Sequence, residues 1–117
     1  MAAAKNAFQA SAWAHDNELR ELVLEQLAQA FERNRDRLIQ TLSLENGKVQ
    51  GEAAFEIDRV PSKLRYASAT ARPESGRAVT PKPGSISIIL RQPMGVAGVI
   101  APWNSPVVLS LRSLAPA

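Results

Sequence analysis

The stretch "GVAGVIAPWNSPVVLSLRSL", residues 95–114, constrains the fold more than any other part of the chain. "GVAGVIA", residues 95–101, is almost continuously apolar, the pattern of a strand covered on both faces. Pro102 ends it. Ser105 then stands as a cap and Pro106 at the first helical position, and Val107, Leu111 and Leu114 follow at helical spacing. Strand, tight loop and helix make half of a βαβ unit. A parallel strand needs a neighbour to pair with, and no second strand follows. The reading expected here is therefore an incomplete α/β unit, with the chain a fragment of something larger.

Upstream the pattern is helical. Leu19, Leu22, Val23, Leu27, Ala30, Phe31, Leu38 and Leu42 recur at the three-and-four spacing of one long amphipathic helix over residues 17–44. Asp16 or Asn17 caps its start, and Asn46-Gly47 stops it, because glycine adopts the left-handed conformation at a helix end without strain. A second helix over residues 50–71 carries Ala53, Ala54, Ile57, Val60, Leu64 and Ala67 on one side; Pro61 inside it predicts a kink or a break. Residues 2–14, rich in alanine, predict a short third helix. "ARPESGRAVTPKPGS", residues 71–85, holds three prolines and two glycines and reads as an exposed connection. "SISIILR", residues 85–91, reads as a strand ended by Gln92-Pro93.

Composition removes several classes of function. The chain of 117 residues has no cysteine, so it offers no disulfide, thiolate metal site or cysteine nucleophile, and its one histidine, His15, lacks a second to form a metal site or relay. The net charge of +3 raises nucleic acid as a partner, but Arg33, Arg35 and Arg37 alternate with Glu32 and Asp36, as on a solvated helix face. Arg72, Arg77, Lys82 and Arg91 are scattered without aromatic residues between them. Neither nucleic acid nor a membrane is expected as a partner, since no window is long enough to span a bilayer and the N-terminus lacks a secretory pattern. A cytoplasmic location is the expectation.

The chemistry concentrates in "APWN". In open α/β sheets ligands bind outside the carboxyl ends of the strands, and Asn104 brings to such a loop a side-chain amide with two N–H donors. Pro102 and Pro106 fix two φ angles around it. Two roles are open on spacing alone: Asn104 as donor to a developing oxyanion, or Asn104 as cap of the helix at Pro106 with Trp103 filling the core.

"LRQPMGVAGVIAPWNSPVVLSLRSLAPA" resembles the aldehyde dehydrogenase superfamily through Arg91, Pro93, Gly95, Val96, Ile100, Pro102, Trp103, Asn104 and Pro106. "LSLENGKVQGEA", residues 42–53, is similar to a second stretch of that family at the expected distance upstream. The resemblance implies N-terminal helices (residues 1–72), a connection with an oligomerisation-arm strand (residues 73–94), and the first strand-loop-helix of a Rossmann-like coenzyme-binding domain, truncated (residues 95–117). It implies a parent enzyme that oxidises an aldehyde to a carboxylic acid with NAD or NADP through a cysteine thiohemiacetal, the piece alone being inactive. Asn104 would be the oxyanion donor, and Ile100, Ala101, Pro102 and Trp103 would contact the cofactor. No metal is implied, and the parent would be a homodimer or homotetramer. Ser105 stands where many members carry Phe, near the aldehyde pocket. "GVAGVIA" does not contain a G-x-G-x-x-G loop, in keeping with a family whose cofactor binding departs from that fingerprint. The competing reading is a small non-enzymatic helical interaction protein, in which "PWN" is only a corner.

Overall fold

The computed structural model describes residues 1–71 and 76–117. The expected boundary at residues 72–73, the basic residue Arg72 and the first part of the proline-rich connection lie outside the described residues.

Helix α1 (Ala2–Ala10) and a 3₁₀ turn (Ala12–Ala14) lead into α2 (Asn17–Arg33), α3 (Arg35–Asn46) and the central α4 (Gln50–Ala71). A hairpin of β1 (Arg77–Val79) and β2 (Ser87–Ile89) follows, then an extended run, then α5 (Pro106–Leu114). Asp16 caps α2 as expected, its Oδ1 accepting from the Leu19 amide at 2.9 Å. Gly47 ends α3 in the left-handed region at φ 77°, with its N–H donating to the Ser43 carbonyl.

The body is built around α4. Its buried residues Ala53, Ile57, Val60 and Leu64 recur at i+4, i+3 and i+4, so they form one stripe along the helix. Val60 and Leu64 meet Leu24 and Ala28 of α2, while Ala53 and Ile57 meet Ile39 and Leu42 of α3. Phe31 and Val107 touch both clusters and join them into one core. Ala28 and Ala53 are fully buried; their small side chains let α2 and α3 come close to α4.

At the rim of this core, Arg65 forks between Glu25 and Glu32 of α2, at 3.0 and 2.7 Å, and Arg35 grips Asp58 of α4 at 2.6 Å. Hydrogen bonds from Arg65 hold the carboxyls of Glu25 and Glu32 below their ordinary value, and Arg35 does the same to Asp58. The Ser68 hydroxyl donates to the Glu21 carbonyl.

Four expectations change. The single helix over residues 17–44 is two helices, because Asn34 turns its side-chain amide back onto the Ala30 carbonyl at 2.8 Å and leaves helical geometry at φ −104°, ψ 14°. Pro61 does not break α4; it is buried within a helix continuous from Gln50 to Ala71, held on both sides of the proline by core contacts of Ile57, Val60 and Leu64. Residues 77–79, assigned to the connection, are β1, which pairs antiparallel with β2 through Arg77↔Ile89, Ala78↔Ile88 and Val79↔Ser87. Gly76 admits this pairing, because a Cβ there would overlap the Ile89 carbonyl oxygen.

The fourth change is the strand expected over residues 95–101. The run is extended but forms no strand, and among the described residues no backbone–backbone hydrogen bond involves residues 93–104. A strand exists only against a partner strand, and none of the described residues pairs with it; what faces residues 95–99 across a shallow pocket is α1, through Ala4, Ala7 and Phe8. Far from being covered on both faces, Ile100 is 98% exposed. Among the described residues no helix is long and apolar enough to cross a membrane.

Candidate functional site

The loop before α5 is held at two points. At its start, Asn46, the last residue of α3, donates its side-chain N–H to the Trp103 carbonyl at 2.8 Å. At its end, the first turn of α5 presents backbone N–H groups without intrahelical acceptors. Pro106, at the first helical position, has none to offer. The next two, of Val107 and Val108, donate to a single oxygen, Oε1 of Glu56, at 2.7 and 3.0 Å. The other oxygen, Oε2, pairs with the Lys48 ammonium.

This carboxylate is the most deeply buried charge described. The Glu56 side chain is 3% exposed and Lys48 13%. It sits on α4 between Ala53 and Val60, inside the apolar stripe, and α5 brings its positive end down onto it. Val107, Val108 and Leu111 then pack against the core, so α5 is fixed by apolar contact along one side and by Glu56 at its tip. The Ser43 hydroxyl donates to the Lys48 carbonyl at 2.6 Å, which fixes the turn carrying the lysine.

Between the two grips lie Asn104, Ser105 and Pro106. Asn104 is exposed, and its amide makes no hydrogen bond to any described residue. It does not cap α5. Ser105 occupies the cap position at φ −148°, ψ 64°, yet its side chain makes no capping bond, because Glu56 has taken the amides it would have reached. Trp103 is 82% exposed and does not fill the core. The corner reading of "PWN" thus loses both of its structural duties.

Of the residues singled out for the site, Ile100, Pro102, Trp103 and Asn104 lie exposed on one continuous segment, and Ala101 is half-buried among them. Sequence reasoning missed Glu56, Lys48 and the side-chain role of Asn46. The signal for Glu56 was present: a lone carboxylate at an apolar-stripe position of α4, where a charge is found only when paired. Asn46 and Lys48 fall in "ENGK", read for its glycine and as a family marker.

The family model described as "Aldehyde dehydrogenase family" matches residues 1–117. The geranial dehydrogenase of Castellaniella defragrans is 40% identical over 124 residues, covering 100% of this chain and 25% of its own length. The betaine aldehyde dehydrogenase of Bacillus subtilis is 32% identical over 119 residues, covering 100% and 24%. Among solved structures, a betaine aldehyde dehydrogenase of Staphylococcus aureus, determined in complex with NAD+, superimposes with a TM-score of 0.89 at 27% identity, over 98% of this chain and 24% of that one. The chain belongs to the aldehyde dehydrogenase family, and it spans about a quarter of the length of the curated relatives it matches.

Proposed function

We propose that residues 1–117 are the N-terminal part of an NAD- or NADP-dependent aldehyde dehydrogenase, contributing the oxyanion donor and one wall of the nicotinamide site. The observation that carries this is the Asn104 amide: exposed, without a hydrogen-bond partner among the described residues, and set between two anchored points of the backbone. A free amide held in place before any substrate arrives is what electrostatic stabilisation of developing charge requires.

The parent reaction consumes an aldehyde and water and yields a carboxylic acid, with NAD or NADP accepting the hydride. A cysteine nucleophile is needed and this chain has none, so the chain alone is inactive. In the parent, thiolate attack puts negative charge on the former carbonyl oxygen, and Asn104 donates an N–H to it. Ile100, Ala101, Pro102 and Trp103 suit the cofactor wall: an exposed, mainly apolar run ending at that amide, with Pro102 fixing its backbone. A homodimeric or homotetrameric assembly and a cytoplasmic location belong to the same proposal; the fully exposed β1–β2 hairpin supports the first.

The test is kinetic, in the full-length enzyme carrying this segment. Asn104→Ala should lower kcat by about 10²- to 10³-fold, with NAD affinity nearly unchanged because the cofactor contacts come from residues 100–103. Asn104→Asp should do at least as much damage, since a carboxylate repels the oxyanion. A fully active Asn104→Asp enzyme would overturn the role.

A further inference from the structure

The oxyanion role proposed for Asn104 demands that its amide be held to a fraction of an ångström, yet that amide makes no hydrogen bond to any described residue that could hold it. We propose that Glu56 and Lys48, together with Asn46, are positioning residues for Asn104, a buried charge clamp that sets where the loop presents its amide. This inference rests on the Asn104 reading.

A carboxylate and an ammonium withdrawn from water carry a large desolvation cost, and apolar residues of similar volume usually fill such space at least as well. Packing therefore does not account for the pair. Direction does. Glu56 Oε1 accepts from two consecutive backbone amides at 2.7 and 3.0 Å, which fixes both the position and the rotation of the first turn of α5. Oε2 is held by Lys48, so the carboxylate cannot swing away from the helix tip. The lysine lies on the same turn as Asn46, whose amide grips Trp103. One turn, residues 46–48, and one side chain of α4 thus fix the backbone immediately before Asn104 and three residues after it. Pro106 removes a further torsion from the span between. The same carboxylate takes the two amides that the Ser105 side chain would otherwise cap.

The experiment is a double-mutant cycle in the full-length enzyme, read as kcat and KM and paired with hydrogen exchange of the segment 103–111. Glu56→Gln removes the charge that Lys48 and the helix tip share; Lys48→Met removes the cation and leaves the carboxylate; Lys48→Arg keeps the cation. The first two should lower kcat roughly 10- to 100-fold with little change in KM, while Lys48→Arg retains most of the activity. In an Asn104→Ala background, Glu56→Gln should cost almost nothing more, because the group it positions is gone. Exchange across residues 103–111 should quicken while α2 and α4 stay protected. If the losses from Glu56→Gln and Asn104→Ala multiply, or if Glu56→Gln leaves kcat intact, the clamp does not act through Asn104 and the inference falls. If Asn104→Ala itself leaves kcat unchanged, the oxyanion reading fails; the clamp then stands or falls on the exchange arm alone, with unchanged exchange at 103–111 overturning it. Should Glu56→Gln not fold, Lys48→Met and Asn46→Ala decide by the same readouts.

Discussion

Taken by itself, the 117-residue chain should not behave as a well-folded monomer, and the structure sets the size of the effect. Its accessible surface is 8763 Å², against roughly 6,200 Å² for a compact monomer of this mass. Its radius of gyration is 18.1 Å, against about 13 Å for a compact domain of this length. The excess, roughly 2,500 Å², is concentrated after α4, where Ile86, Ile88, Ile89, Leu90, Met94, Val96, Ile100 and Trp103 are all about half exposed or more. If a little over half of that area is apolar, at about 25 cal/mol per Å² it represents a drive toward burial of about 35 kcal/mol. That exceeds the whole net stability of an ordinary domain, about 5–15 kcal/mol. The chain expressed alone should therefore self-associate or remain molten. Light scattering on a sizing column should show oligomers, a dye for exposed apolar surface should bind, and exchange should be fast from 86 to 101 while α4 keeps some protection. A monodisperse monomer with a sharp two-state thermal transition and no dye binding would refute the reasoning.

Two further outcomes follow from local geometry. Gly76→Ala should spring the β1–β2 ladder, since the new methyl group meets the Ile89 carbonyl; a cost of about 1–3 kcal/mol should appear as lost amide protection at residues 77–79 and 87–89 of the full-length enzyme. Intact protection there would count against the close approach. The helical body should lose stability as pH falls below about 4.5, because Glu25, Glu32 and Asp58 titrate below their ordinary values of 4.5 and 3.8 in the folded state. The unfolded chain binds more protons in that window, so stability rises with pH through it and is flat above. Arg65→Met should make the decline shallower, as read by thermal midpoints across the acid range, and an unchanged acid slope would mean that the fork is screened by solvent.

What the sequence made legible was whatever rests on neighbours along the chain. Asp16 finds the Leu19 amide three residues on, Gly47 ends its helix by its own φ, and the apolar spacing of α4 is its buried face. The loop bearing Asn104 was also legible, since two prolines and a following helix pattern mark it, but spacing left its amide open between a helix cap and an oxyanion donor. Less legible was anything decided by distant partners. The run 95–101 has the composition of a strand covered on both faces and lies half-buried at most, because composition records the environment a segment is suited to, not whether this chain supplies it. β1 is three residues long among prolines and glycines, too short for any alternation to show. Asn34 can continue a helix or end it by bonding its own side-chain amide to the Ala30 carbonyl, as it does, and apolar spacing does not distinguish the two. Glu56 meets Val107 and Val108 across 51 and 52 residues, so its role was invisible until the fold brought them together.

That separation has a consequence during synthesis. At about 5–20 residues per second, the interval between the appearance of Glu56 and that of Val107 is about 3–10 s. Helices form in microseconds, so α2, α3 and α4 have ample time to collapse on one another while the ribosome is still making the hairpin. The nascent body then carries an unfinished notch, in which Lys48 and Glu56 stay wet until α5 emerges to cover them. Docking of α5 is in this sense a timed event: the tip that closes the notch is made 51 residues after the carboxylate it covers, and the loop bearing Asn104 takes its final shape only once that tip has docked.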